Sequence, residues 1–320
     1  MKGKLIIFAA LLLAIAVYAA SPTWTTPSKV AVAAFAVDEY GKYYKTGLRT
    51  KSLKRSIYHR DMFIDSLFAK VGRKYPGKRA FTTYKLWNSE ARKKDYGEAL
   101  LYRSEFVFFS GHGDQQKICL YDYPINISRG CGRDVCPNDE GGKVYGGDIR
   151  WVIFDACLTL NVNKSDKLEY PLTVGTVDFS KVDKLREVFV GVHAILGFYS
   201  LSWEDYRYRL GTPQVFARSE NLYKYFTKYF IEDDETIWDS FNMASADIVR
   251  DFSSFNGKGL KPAIAFLRGH DKEGRYHDTS QERFNHTFNQ PIQINGDLEL
   301  FVMYDEHGDP EYYSSTTLLL

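Results

Sequence analysis

Two short segments carry the residues able to do chemistry. Phe106-Val107-Phe108-Phe109-Ser110-Gly111-His112-Gly113-Asp114 is an apolar run that ends at a histidine between two glycines. Trp151-Val152-Ile153-Phe154-Asp155-Ala156-Cys157 is an apolar run that ends at a cysteine. A thiol becomes a strong nucleophile when a nearby base or imidazolium raises its thiolate fraction, and the same imidazole can protonate a leaving amine. His112 and Cys157, 45 residues apart, are the candidates for those two roles. Glycines beside His112 let the backbone turn sharply. The N–H of Gly113 and that of Cys157 are the candidate oxyanion donors, each worth ~3 kcal/mol in comparable sites. Cys157 alone reads as a small buried hydrophobe. The matching context around His112 is what favours chemistry.

Both segments have the form of buried strands. So do Val30 to Val37, Ala80 to Trp87, His193 to Tyr199 and Pro262 to Leu267, with one or two further strands expected over Gln293 to Tyr304. Continuously apolar strands are covered on both faces, which points to a mostly parallel sheet flanked by helices. Ser52 to Val71 has apolar residues at helical spacing, with Gly72 suited to the stop. Pro213 to Phe252 reads as mainly helical, in two helices broken near the acidic run Glu232 to Glu235. In such a sheet, reactive groups gather at the carboxyl ends of strands, where His112 and Cys157 both fall. Arg268-Gly269-His270-Asp271 has no partner cysteine and reads as a turn. His193 reads as a core histidine. No repeat or linker divides the chain, so residues 20–320 are expected to form one α/β domain with extra strands toward the C-terminus.

Residues 1–19 read as a secretory signal peptide: Lys2 and Lys4, an apolar run from Leu5, and Val17-Tyr18-Ala19 at the cleavage site. The apolar stretch, at most 16 residues, is short of the ~20 of a spanning helix, so no stable membrane insertion is expected after cleavage. Lys+Arg number 42 against 40 Asp+Glu, and the counts become equal once Lys2 and Lys4 are removed. That balance offers nucleic acid no general electrostatic attraction. Export permits disulfides. Of the four cysteines, Cys119, Cys131 and Cys136 cluster, and Cys131–Cys136 is the closest pair, while the spacing does not suit zinc.

The order of an apolar strand then His-Gly, and an apolar strand then Ala-Cys, resembles the caspase-like cysteine peptidase clan. Asp155-Ala156-Cys157-Leu158 is most similar to its clostripain-like members. The arrangement, including the later His193 to Phe198 strand, is also similar to uncharacterised exported caspase-like proteins, for which membership does not establish activity. The resemblance covers roughly Val30 to Ser200. It implies a three-layer sandwich, a peptide or protein substrate, no cofactor and no metal. It also implies His112 as general base or acid and Cys157 as nucleophile. Asp155 occupies the position that lines the pocket for the residue before the cut, which implies cleavage after Arg or Lys. A structural role for Asp155, capping a helix or fixing a loop, is an equal alternative. Trp203 and Glu204 follow the fifth strand and are candidates to line the substrate groove. The sequence after the cysteine, Leu158-Thr159-Leu160-Asn161, departs from the small Ser-Gly turn of related families. The competing reading is an exported binding or surface module with the same fold and an unused dyad.

Overall fold

A computed structural model of the 320-residue chain describes residues 24–25, 29–41, 52–53, 55–101, 104–127, 149–162, 185–186, 189, 192–199, 206–207, 216–217, 220–250, 262–271, 273–288, 294–303 and 310–315. Residues 1–19, Cys131, Cys136, Trp203 and Glu204 lie outside them.

The apolar runs become the centre of one nine-stranded sheet. Its strands are β1 (Lys29–Ala36), β2 (Arg79–Trp87), β3 (Phe106–Ser110), β4 (Trp151–Asp155), β5 (Ala194–Phe198), β6 (Pro262–Asp271), β7 (Tyr276–Asp278), β8 (Ile294–Met303) and β9 (Pro310–Ser315). The spatial order is β9-β8-β6-β5-β4-β3-β1-β2, with β7 paired to β6. The five strands from β2 to β5 are parallel, and the sheet turns antiparallel between β5 and β6.

Every residue of β3, β4 and β5 is buried, because alternate side chains enter two separate cores. Phe106, Phe108, Trp151, Ile153 and Leu196 face helices α1 (Ser56–Lys74), α3 (Glu220–Thr227) and α4 (Ile237–Arg250). Val107, Phe109, Val152, Phe154 and Ile195 face α2 (Lys93–Leu101) through Tyr96, together with Ile118, Leu120, Leu185 and Phe189. Fully burying one such side chain is worth roughly 1.5–3 kcal/mol. Apolar residues on both faces are what exclude water from the middle of the sheet and leave its edges to carry function.

Four local expectations are corrected. α1 runs through Gly72 to Lys74, with Tyr75 N–H bonded to Val71 O, so Gly72 is no stop. Arg268 to Asp271 is not a turn but the end of β6, where both β7 and β8 supply ladder partners. Phe216–Ala217 is a short strand paired with Tyr206–Arg207, ahead of the helical stretch. α2 is an additional helix, nine residues long, in which Gly97 lowers helix propensity. The helix break near Glu232 stands: residues Lys228–Glu232 form a π-turn, and Asp234 takes φ +59°. Of that acidic run, Glu232 pairs with Arg73 and Asp233 with Lys228.

Candidate active site

β3 and β4 are parallel neighbours in strict register, with Ser110 opposite Asp155. Two residues beyond each lie His112 and Cys157. The sheet itself therefore delivers both candidates to adjacent strand ends. The chain after His112 makes a small three-stranded sheet, Gly113–Asp114 with Lys117–Cys119 and Pro124–Asn126, folded back over the Cys157 loop.

Gly113 fixes how closely the two ends approach. A Cβ there would lie 2.5 Å from Cys157 O, 2.8 Å from Ala156 Cβ and 3.1 Å from Cys157 N. No side chain fits, so the absence of one is what allows the two backbones to touch. Gly111 N–H donates to Asp155 O at 3.1 Å, which joins the strand ends one step earlier.

His112 is held from the other side by Tyr40, whose hydroxyl accepts the His112 backbone N–H at 2.7 Å. The Tyr40 ring lies 5.2 Å from the imidazole, tilted by 37°. Tyr40 is itself buried. Both His112 and Cys157 are half-buried, within reach of solvent at the sheet edge. Cys119 and Cys157 carry thiols, not a disulfide. Asp114 is exposed and accepts the next residue's N–H, as a turn residue does.

The turn after Cys157 departs from ordinary backbone. Leu158 has φ +57° and is buried; a branched apolar residue in the left-handed region costs of order 1–3 kcal/mol. Gln116, also buried, has φ +53°, and its N–H approaches Leu158 O at 3.4 Å. Two strained residues thus face each other beside the thiol. The turn is anchored below to β5: Leu160 N–H donates to Phe198 O, and Asn161 Nδ2 to Tyr199 O. Gly197 makes room, since a Cβ there would meet Thr159 Oγ1 at 2.6 Å.

Asp155 does not line an open pocket. Its side chain is 6% exposed and faces the α1 layer. Its Oδ2 lies 2.6 Å from His59 Nδ1 and accepts Ser110 Oγ–H at 2.7 Å. Burial pushes this carboxyl up. The His59 charge and these hydrogen bonds outweigh it, holding the group below the usual carboxylate range. The expected pocket acid is thus engaged inward, with His59 and Ser110. His59 is the site residue that sequence reasoning missed: it sits at the start of α1 between Tyr58 and Arg60, 96 positions from its partner.

His193 is buried just before β5, with Nδ1 2.6 Å from Glu282 Oε1. Among the described residues, no group of His, Cys, Asp and Glu is placed to hold a metal, and no helix is long and apolar enough to cross a membrane.

Comparison of the sequence with protein-family models and with curated proteins gives no match. Solved structures do show similarity in chain path. The Arg-specific cysteine proteinase gingipain R matches over 92% of this chain and 69% of its own, at 10% identity and a TM-score of 0.41. The complex of the pro- and mature domains of RgpB from Porphyromonas gingivalis matches over 92% and 70%, at 11% identity and 0.41. Caspase-1 from Spodoptera frugiperda matches over 74% and 88%, at 14% identity and 0.35.

Proposed function

We propose that this chain is an exported cysteine endopeptidase of the caspase-like kind, acting through His112 and Cys157. The observation that carries the reading is the closure of the two strand ends on each other, with Gly113 packed against the Ala156–Cys157 peptide. In this reading the Cys157 thiolate attacks the scissile carbonyl carbon. The carbonyl electron pair moves onto oxygen, held by the N–H groups of Gly113 and Cys157. Collapse of that oxyanion breaks the C–N bond while His112 gives its proton to the leaving amine. Water, deprotonated by His112, then cleaves the thioester and returns the thiol.

Export rests on residues 1–19 and is read by N-terminal sequencing of the protein recovered outside the cell. Trp203 and Glu204 are the groove residues of this reading. A preference for Arg or Lys would need an acid facing the substrate, and Asp155 is turned toward His59. The proposal therefore includes peptide cleavage and assigns Asp155 no selection of the residue before the cut.

The test is covalent labelling of the folded protein with acyloxymethyl ketone probes carrying either a basic or a neutral residue. Labelling that maps to Cys157, is lost in Cys157→Ala and falls steeply in His112→Ala is the expected result. Intact, folded protein that takes no label at Cys157 with any probe removes the enzyme and leaves a binding module.

A further inference from the structure

The geometry points to Asp155 and His59 as positioning residues, whose buried contact fixes the two strand ends that carry His112 and Cys157 and so sets the reactivity of the thiol. This rests on the reading of those two residues as a catalytic pair.

Asp155 holds both ends at once. Its main-chain oxygen accepts Gly111 N–H at 3.1 Å, and its side chain accepts Ser110 Oγ–H at 2.7 Å. Those donors are the two residues immediately before His112. Asp155 itself stands two residues before Cys157 on the neighbouring strand. One residue therefore ties the end of β3 to the end of β4 through main chain and side chain together.

His59 supplies the counterpart from outside the sheet. It is 1% exposed, on the first turns of α1, with Nδ1 2.6 Å from the carboxylate. A buried carboxylate with no such partner would take up a proton or draw water into the strand ends. With His59 in place the carboxylate stays ionised, and α1 acts as the fixed wall against which both ends are set. Side chains alternate along a strand, so Asp155 enters the α1 side and Ala156 packs into the opposite core. Fixing Asp155 therefore fixes the Ala156–Cys157 peptide, against which Gly113 packs with no space for a methyl group.

The predicted effect is a loss of rate and not of substrate affinity. Asp155→Asn and His59→Gln are each expected to lower kcat by ~10²-fold, the cost of displacing reacting groups by about 1 Å. KM should stay unchanged, and the fall should be equal for peptides with a basic or a neutral residue before the cut. In parallel, native-state hydrogen exchange should speed up at Gly111, whose N–H is bonded to Asp155 O, while Phe108 and Ile153 stay protected. If Asp155→Asn fails to fold, Ser110→Ala removes only the hydroxyl tie and should lower kcat by about 10-fold, with the same local exchange. A loss confined to basic peptides and carried by KM would overturn the inference, because Asp155 would then touch substrate. Exchange that is unchanged at Gly111, or raised throughout the molecule, would overturn it equally. Should the wild-type protein cleave nothing, the proposed function falls, and the exchange measurement still decides whether the pair holds the strand ends.

Discussion

The two ends of the parallel sheet each contain a buried histidine 2.6 Å from a carboxylate, and they serve different ends. At the carboxyl ends of the strands, His59 meets Asp155 beside two glycines, a strained turn and a half-buried thiol. At the amino ends, His193 meets Glu282 among large rings: Trp151 donates Nε1–H to Glu282 at 3.2 Å, and Phe230 and Phe284 pack on Trp151. The second pair is at 0% side-chain exposure on both partners. A buried histidine–carboxylate contact is thus not a site by itself. What sets the first pair apart is that its carboxylate belongs to the strand leading into Cys157.

The sharpest way to break this comparison is to remove a histidine from each end. His112→Ala should lower the rate of probe labelling at Cys157 by about 10³-fold, within the range expected for loss of a general acid–base group, with folding unaffected. His193→Ala should do the reverse. It strands Glu282 in the interior at a cost of about 3–5 kcal/mol, read as a lower urea midpoint, while labelling per folded molecule is unchanged. Loss of labelling in the second variant at full stability would erase the distinction.

Glycine substitutions sharpen it further. Gly113→Ala drives a methyl into Cys157 O and should cut labelling by ~10²-fold. Gly296→Ala, on β8 near the opposite end, puts a Cβ 2.2 Å from Arg268 O. It should cost about 1–3 kcal/mol of stability and leave labelling intact.

Acid unfolding gives a smaller effect. Because the folded protein holds Asp155 below its ordinary pKa of about 4, its contribution is fully present above that pH. Below it the unfolded chain binds the proton first, and the contribution drains away as pH falls toward the folded value. The thermal midpoint of Asp155→Asn should therefore fall less between pH 5 and pH 3 than that of wild type, since the window opens at about 4.

The smallest effect lies at the amino ends of the strands. Tyr75, beyond α1 and against Phe284, is pushed up to about 12 by burial, with Asp234 adding to the shift. From about pH 10 upward the unfolded chain ionises first, so stability should decline toward pH 12, and Tyr75→Phe should flatten that decline.

Much of the sheet was legible because burial on both faces leaves unbroken apolar runs, as in Phe106 to Phe109 and Trp151 to Phe154. Their strand-end residues followed directly, since the sheet has only one edge at which parallel strands finish. The environment of Asp155 was not legible. Its partner His59 is a polar residue within an amphipathic helix, and nothing local marks it as buried. Leu158 was opaque for the opposite reason: the left-handed region disfavours a leucine, so no rule of turn chemistry would place one there. α2 stayed hidden because it is short and Lys93, Lys94, Asp95 and Gly97 surround Tyr96, which joins the core.

The parallel pairing of β3 with β4 also has a kinetic consequence. It joins positions 45 residues apart, and parallel neighbours cannot be linked by a tight hairpin, so the ladder forms only after a long loop has closed. Contacts of that separation are acquired late and slowly during folding. A newly made or unfolded chain therefore carries Cys157 as an ordinary thiol, and any heightened reactivity can emerge only with the finished sheet. Thiol reactivity, followed in time after dilution from denaturant, would then serve as a clock for the last step of folding.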